Sequence, residues 1–303
     1  METVKLKSAL KDFIWGSDKL AIKYGKNYGP KMVAESWELS FNDAGPSLID
    51  SGCNKGKALK DIAKKEDIGI LPGKFEFFPV LIKFISSASN LSVQVHPSDQ
   101  YALKNEGQFG KTEMWHVLES EEGAGLYVGW KRKTSSEEVR EAIKNDTLLD
   151  LLNFIPVKPG DNYFIPSGTV HAIGKGVTLI EIQENSTLTY RLYDYHRLDK
   201  NGKERELHVE KALKVISFGP YKQEEFKKPL IGKSDYFTSS AYYLNGLKEI
   251  ETNELSFKAI SFVSGEGMVN KIPFKKGDSF FIPANSKAIL EGVGDYILTE
   301  VAS

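Results

Sequence analysis

The sequence predicts a mainly β fold made of barrel-like units, with a small helical insertion. Two observations support this fold class. Short apolar runs alternate with glycine, proline and asparagine turns along most of the chain, which is typical of antiparallel strands. The stretch 157–176, VKPGDNYFIPSGTVHAIGKG, also has a second copy at 274–294, FKKGDSFFIPANSKAILEGVG. A repeat of this kind indicates two barrels built on one pattern.

Strands are expected in most of the first two thirds of the chain. Residues 1–50 alternate short apolar runs with turns and predict short strands. Further strands are expected near 75–85, 91–96, 112–118, 125–129, 162–165, 170–172, 178–183 and 188–195.

Helices are expected only between these strands, at 18–24, 56–65, 135–152 and 208–217. The run at 135–152 begins with serine caps and glutamates in its first turn, so we expect an inserted helix that interrupts the barrel. The polar run 221–228 is a candidate linker.

The repeat divides the chain into two expected domains, 1–228 and 229–303. Gly277 takes the place of Gly160 in the second copy, but Ala288 stands where the first copy has His171. We therefore expect a first domain that binds metal and contains the helical insertion, and a second, degenerate domain without metal ligands that serves packing or an interface. The alternative is that both copies share only a common hairpin sequence.

Composition excludes several classes of function. The chain has 303 residues with 40 basic and 41 acidic side chains, so its net charge of -1 creates no field that favours nucleic acid or an anionic membrane. Cys53 is the only cysteine, which predicts a reducing compartment and no intrachain disulfide. No stretch resembles a signal peptide or a membrane span, and we expect a cytoplasmic protein. The oligomeric state is left open.

The stretch 157–176 is similar to the second signature motif of the cupin family. The resemblance implies that the barrels are cupin-like jelly rolls, that is, double-stranded β-helices. Gly160, Pro166, Gly168 and His171 match that motif in order. In cupins the histidine of this motif faces a metal inside the barrel, so the resemblance implies that His171 is a metal ligand.

Strand alternation places further ligating side chains in the same cavity. Residues i and i+2 of a strand share a face, so Gln94 and His96 are expected to point the same way, as are Lys111 and Glu113. His116 would face away from Glu113 and is expected to be structural. Two imidazoles, a carboxylate and an amide oxygen suit one zinc ion per chain, and iron, cobalt or manganese are also compatible.

Several runs together resemble type I mannose-6-phosphate isomerase, the short bacterial form. They are AESWELS, LSVQVHPSD, KTEMWHVLE, IPSGTVHAIGKG and ENSTLTYRLYDYHR, and they span roughly 15–200 in the order of that family. The resemblance places the family's zinc ligands on Gln94, His96, Glu113 and His171, and its active-site lysine and arginine on Lys111 and Arg191. Thr187 departs from the family, which often has aspartate or asparagine there, so the general base stays unassigned.

The resemblance implies a metal-dependent aldose-ketose isomerase that interconverts mannose 6-phosphate and fructose 6-phosphate through an enediol. Its partner would be a small phosphosugar, with no nucleic acid and no membrane involved. Lys83 and Ser36 are candidate contacts of the phosphate group. Two alternatives stay open, a non-haem iron oxygenase on a cupin barrel and a sugar-binding cupin without activity.

Overall fold

A computed structural model describes residues 1–199 and 201–301 of the chain, and its architecture is mainly β. The described residues form strands β1 (Val4–Lys7), β2 (Ala9–Lys11), β3 (Glu35–Leu39), β4 (Leu48–Ile49), β5 (Val80–Ser86), β6 (Val93–Val95), β7 (Glu113–Ser120), β8 (Gly125–Trp130), β9 (Leu152–Pro156), β10 (Asn162–Ile165), β11 (His171–Ile173), β12 (Val177–Glu184), β13 (Tyr190–Tyr193), β14 (Leu230–Lys233), β15 (Thr238–Glu251), β16 (Lys258–Phe262), β17 (Glu266–Val269), β18 (Ile272–Lys275), β19 (Ser279–Ile282) and β20 (Lys287–Glu300). Short helices connect some of them: α1 (Lys19–Lys23), α2 (Leu59–Ile62), α3 (Lys65–Ile68), α4 (Asp99–Glu106), α5 (Ser136–Lys144) and α6 (Val209–Leu213).

Two antiparallel sheets form the first barrel. One has six strands in the order β10-β7-β12-β5-β3-β2, and the other has five in the order β13-β6-β11-β8-β9. An apolar cluster joins them, with Trp115 and Leu179 from the six-stranded sheet and Leu126 and Ile173 from the five-stranded sheet. Apolar residues on the inner faces of the two sheets pack against each other. Polar residues on the same faces line a cavity between the sheets.

A third sheet of nine strands contains the C-terminal barrel together with two strands from the start of the chain. β1 pairs with β19 in antiparallel register, and β4 pairs with β1. The ammonium of Lys26 strengthens this connection, since it lies 2.8 Å from Glu38 on β3 and donates a 2.7 Å hydrogen bond to the carbonyl of Gly277. The N-terminal segment therefore packs against the C-terminal sheet.

The two copies of the repeated stretch have the same turn conformations. Gly160 and Gly277 both have φ of 91°, and Gly168 and Asn285 have φ of 85° and 53°. Positive φ favours glycine, and asparagine tolerates it better than most residues do. A side chain at Gly277 would also collide with the carbonyl of Tyr24.

The helices differ in extent from the sequence-based expectation. The run 56–65 forms α2 and the start of α3, because Ala63 and Lys64 are extended and interrupt the helix. In the insertion at 135–152, Ser135 caps α5 as expected, but α5 ends at Lys144 and a separate 3₁₀ turn covers Leu148–Leu151. α4 was not predicted, since its sequence shows little amphipathic periodicity.

None of the helices within residues 1–199 and 201–301 is long and apolar enough to cross a bilayer.

Candidate metal site and active-site cavity

Three buried side chains converge between the two sheets of the first barrel. His171 begins β11, His96 directly follows β6, and Glu113 begins β7 on the opposite sheet. One ligand atom from each of them lies within 4.8 Å of the others. Glu113 Oε1 is 3.3 Å from His171 Nε2, and Glu113 Oε2 is 3.6 Å from His96 Nε2. These atoms are spaced so that one metal ion could contact all three residues.

Both imidazoles are oriented by the backbone. The Nδ1–H of His96 donates to the carbonyl of Leu188 at 2.8 Å, and the Nδ1–H of His171 donates to the carbonyl of Thr169 at 2.9 Å. With the proton on Nδ1, each ring presents the lone pair of Nε2 to Glu113. Such carbonyl contacts are the usual support of metal-binding histidines. Burial and the nearby charge of Lys111 lower the pKa of His96, and the same causes lower the pKa of His171 to about 4, so both rings are neutral at physiological pH.

Gln94 lies beside this cluster. Its residue pairs with His171 on β11 and with Arg191 on β13, so the three side chains occupy neighbouring strands at one level. The amide nitrogen of Gln94 is 3.4 Å from His171 Nε2. Turning the amide by 180° would present Oε1 at the same place, and an amide oxygen is a suitable metal ligand.

The electrostatics of the cavity floor fit an additional cation. Three buried carboxylates, of Glu35, Glu113 and Glu181, face two buried ammonium groups, of Lys83 and Lys111. Glu113 Oε1 is buried and has no hydrogen-bond donor among the described residues. Burial and the charge of Glu181 raise the pKa of Glu113, and the three carboxylates outnumber the two ammonium groups by one charge. A divalent ion would compensate that charge and satisfy the unpaired oxygen.

Lys111 lies directly against the candidate ligands. Its Nζ forms an ion pair with Glu113 and is 3.2 Å from His96 Nε2 and 3.7 Å from Glu181. Burial opposes ionisation of Glu181, but Lys111 and Lys83 outweigh it and lower the pKa of that carboxyl. Lys111 is therefore a cation that can contact both the metal ligands and a molecule in the cavity.

A cavity of about 460 Å³ opens from this site toward solvent. Its walls include Gln94, Lys111 and Arg191. Arg191 donates from Nη1 to the carbonyl of Glu206 at 2.7 Å, while its Nε is buried without a partner among the described residues. Burial and the neighbouring Arg205 lower the pKa of Arg191. The cavity thus combines a candidate metal site with a guanidinium that has unused donors.

Comparison with known proteins identifies the family. Residues 3–115 match the model of the phosphomannose isomerase type I catalytic domain, and residues 228–301 match that of the mannose-6-phosphate isomerase cupin domain. The chain is 34% identical to mannose-6-phosphate isomerase ManA of Bacillus subtilis, with 99% of each chain covered. This chain belongs to the type I phosphomannose isomerase family. It is also 32% identical to the mannose-6-phosphate isomerase of Streptococcus mutans, with 95% of this chain and 94% of that protein covered.

A solved structure supports the same assignment. The chain matches the crystal structure of the mannose 6-phosphate isomerase from Bacillus subtilis with a TM-score of 0.87, at 33% identity and 99% coverage of both chains. The predicted fold class and family are therefore confirmed. Type I phosphomannose isomerases are metal-dependent, and His96, Glu113 and His171 provide a site that could hold the ion.

Three other residues with a predicted role lie at different places relative to the cavity. His116 faces away from the cavity, and its Nδ1 is 2.8 Å from Asn162 Oδ1, as strand alternation predicts. Ser36 does not line the cavity, because neighbouring residues of β3 alternate and its hydroxyl points to Glu38 and Ser8. Lys83 does line the cavity, but its ammonium group forms ion pairs with Glu35 and Glu181. Of these two residues, only Lys83 reaches the cavity, and its contact with a phosphate stays a prediction.

Two residues of the cavity, Glu181 and Arg205, were not predicted from the sequence. Glu181 accepts a 2.8 Å hydrogen bond from Trp115 and holds both lysines of the cavity floor. An acid in the middle of the apolar run VTLIEIQE is a signal that could have identified it. Arg205 lies in a polar connection without periodicity, and no sequence signal distinguishes it from a surface arginine.

Proposed function

We propose that this chain is a mannose-6-phosphate isomerase, which interconverts mannose 6-phosphate and fructose 6-phosphate through an enediol. The observation that carries the proposal is the convergence of His96, Glu113 and His171 within 4.8 Å, in a chain that covers nearly the whole length of mannose-6-phosphate isomerases. The reaction moves a proton between C2 and C1 of the open-chain sugar, and negative charge develops on the substrate oxygens. The site therefore needs cations that are fixed before the reaction starts.

In this proposal Gln94, His96, Glu113 and His171 hold one zinc ion per chain. Two neutral imidazoles, a carboxylate and an amide oxygen favour zinc, and other divalent ions fit the same donor set. When bound, the ion supplies Lewis-acid stabilisation of the enediolate oxygens. The buried position of His96, Glu113 and His171 excludes water from the reacting centre, which strengthens these electrostatic contacts.

Arg191 and Lys111 are the proposed catalytic residues. The guanidinium of Arg191 stays charged during the reaction and can contact two substrate oxygens with its free N–H groups. Lys111 contributes a positive charge beside Glu113, and it is also placed to exchange a proton with the sugar. The exposed Thr187 lines the same cavity but has no titratable group, so we assign it no role as a base.

The remaining predictions concern organisation and location. We propose that residues 1–228 form the catalytic domain and that 229–303 form a second barrel that binds no metal. The buried Ala288 at the position of His171 supports this division. A cytoplasmic location stays a prediction, based on the single cysteine.

An isomerase assay tests the proposal against its alternatives. Formation of fructose 6-phosphate from mannose 6-phosphate is measured without oxygen, after treatment with a chelator and after addition of Zn²⁺. We expect activity that does not need oxygen, that disappears with the chelator and that returns with the metal. A strict oxygen requirement would favour the oxygenase, and sugar phosphate binding without turnover would favour the inactive cupin.

A further inference from the structure

The outer wall of the active-site cavity carries a second arginine. Arg205 follows β13 in a polar connection, and its side chain lines the same cavity as Gln94 and Arg191. It is about one fifth exposed, so it is reachable from the cavity without being a free surface group. The proposed mechanism uses Arg191 but leaves Arg205 without a role.

Asp194 fixes the direction of the Arg205 guanidinium. Nε of Arg205 bonds Asp194 Oδ2 at 2.7 Å, and Nη2 bonds Asp194 Oδ1 at 2.6 Å. Asp194 is 5% exposed, so its buried carboxylate holds the Arg205 guanidinium in one orientation. Two of the five N–H groups of Arg205 are used in this way, and its Nη1 donates to none of the residues that the structure describes. A planar guanidinium held along one edge presents the other edge to a ligand.

The charges around Asp194 leave an excess of positive charge. Arg197 bonds the same carboxylate, so one negative charge is shared by two guanidinium groups, and Arg191 lies close enough for Arg205 to lower its pKa. The carboxylate of Glu206 is largely exposed and therefore screened. This corner of the cavity is suited to an anion with several oxygens.

The position of this corner matches the far end of the sugar. Arg191 pairs with Gln94 and so lies at the level of the candidate metal site. Asp194 is three residues further along, which corresponds to about 10 Å of extended chain. In the proposed function C1 and C2 of the substrate would lie beside the candidate metal ligands, and four carbon–carbon bonds separate C2 from C6. A sugar phosphate placed in this way could reach the Asp194 corner with its phosphate.

We propose that Arg205, oriented by Asp194, binds the 6-phosphate of the sugar substrate. The inference rests on the proposed function and assigns the group that selects phosphorylated over free sugars. Lys83 is less suited to this role, since Glu35 and Glu181 already neutralise its charge, and Ser36 points out of the cavity. Lys11 is the other cation on the rim, but it lies over the ring of Trp37 and donates to the carbonyl of Ala44.

Two matched variants test the assignment. Arg205→Gln removes the proposed phosphate contact, whereas Arg197→Gln removes a guanidinium from the same carboxylate without altering the cavity wall. We expect Arg205→Gln to raise the KM for mannose 6-phosphate and to weaken competitive inhibition by inorganic phosphate, each by about tenfold to a hundredfold. Saturated turnover and metal content should change little, and Arg205→Lys should recover part of the loss.

The possible results separate this assignment from the proposed function. If Arg205→Gln has the same KM and phosphate inhibition as Arg197→Gln while the wild type is active, the assignment of Arg205 is wrong. If the wild type does not isomerise mannose 6-phosphate, the proposed function fails instead. In that case, calorimetric titration with inorganic phosphate decides the assignment: binding by the wild type and by Arg197→Gln that is lost in Arg205→Gln supports it, and no binding by the wild type overturns it.

Discussion

The imidazole rings of His96 and His171 lie with their centroids 4.8 Å apart and their planes tilted by 48°. His171 lies on β11 and His96 directly follows the neighbouring β6, and each ring is held by a backbone carbonyl through Nδ1. Their Nε2 atoms contact different oxygens of Glu113, which belongs to the opposite sheet. The barrel therefore assembles a three-residue site from its two sheets.

The first prediction concerns the metal. His171→Ala is expected to abolish stoichiometric metal binding and to reduce turnover by a factor on the order of 100 or more, because one fixed nitrogen ligand is lost. Metal content is measured by mass spectrometry and activity by fructose 6-phosphate formation. His116→Ala is the matched control, since His116 lies on β7 but faces away from the site. A His171→Ala protein that keeps its metal would contradict the ligand assignment.

The second prediction separates metal binding from charge stabilisation. Arg191→Ala should leave the metal content unchanged and lower kcat about a hundredfold, because the guanidinium stabilises charge that develops on the substrate oxygens. Arg191→Lys should restore only part of the rate, since an ammonium cannot bind two oxygens in one plane. Single-turnover measurements with metal-loaded protein distinguish this effect from slower substrate binding. Normal turnover in Arg191→Ala would remove that residue from the mechanism.

Strand alternation made the centre of the site predictable. Gln94 and His96 occur at i and i+2, as do Lys111 and Glu113, and a strand places such pairs on one face. The same argument correctly predicted that His116 faces away from Glu113. The resemblance of the stretch around His171 to the cupin motif then gave the remaining candidate ligand. Strand alternation is local geometry, which sequence patterns encode well.

The rest of the cavity depends on pairings between distant segments. The N-terminal β1 pairs with β19, and no local pattern specifies that register. Arg205 reaches the cavity because the buried Asp194 holds it there. Lys83 forms ion pairs with Glu35 and Glu181, and the partners of a charged residue cannot be read from its own strand.

The third prediction tests the connection between the N-terminal segment and the C-terminal sheet. Lys26→Met leaves the fully buried Glu38 without its cation, and we expect the free energy of unfolding to fall by about 3–5 kcal/mol. Lys23→Met is the control, because its ion pair with Glu119 is half exposed and should contribute no more than about 1 kcal/mol. Urea denaturation followed by tryptophan fluorescence measures both. Equal losses in the two variants would show that the buried pair is dispensable.

The last prediction concerns the pH dependence of stability. The carboxyl group of Glu184 is buried at the end of β12, where Oε1 accepts a 2.6 Å hydrogen bond from the backbone N–H of Thr112. Burial and the nearby charge of Asp99 raise its pKa from the ordinary 4.5 to about 8. Between these values the folded protein keeps a proton that the unfolded chain has released, so the contribution of Glu184 to stability falls as the pH rises through this window. From pH 5.5 to pH 8 we expect the free energy of unfolding to decrease by an amount on the order of 3 kcal/mol because of this residue.

Urea denaturation at several pH values measures this effect. Glu184→Gln, which stays neutral at every pH, should remove that part of the pH dependence of the free energy of unfolding, while Glu210→Gln on the surface should not. Parallel slopes for the wild type and Glu184→Gln would mean that the carboxyl group ionises in the folded protein near its ordinary pKa.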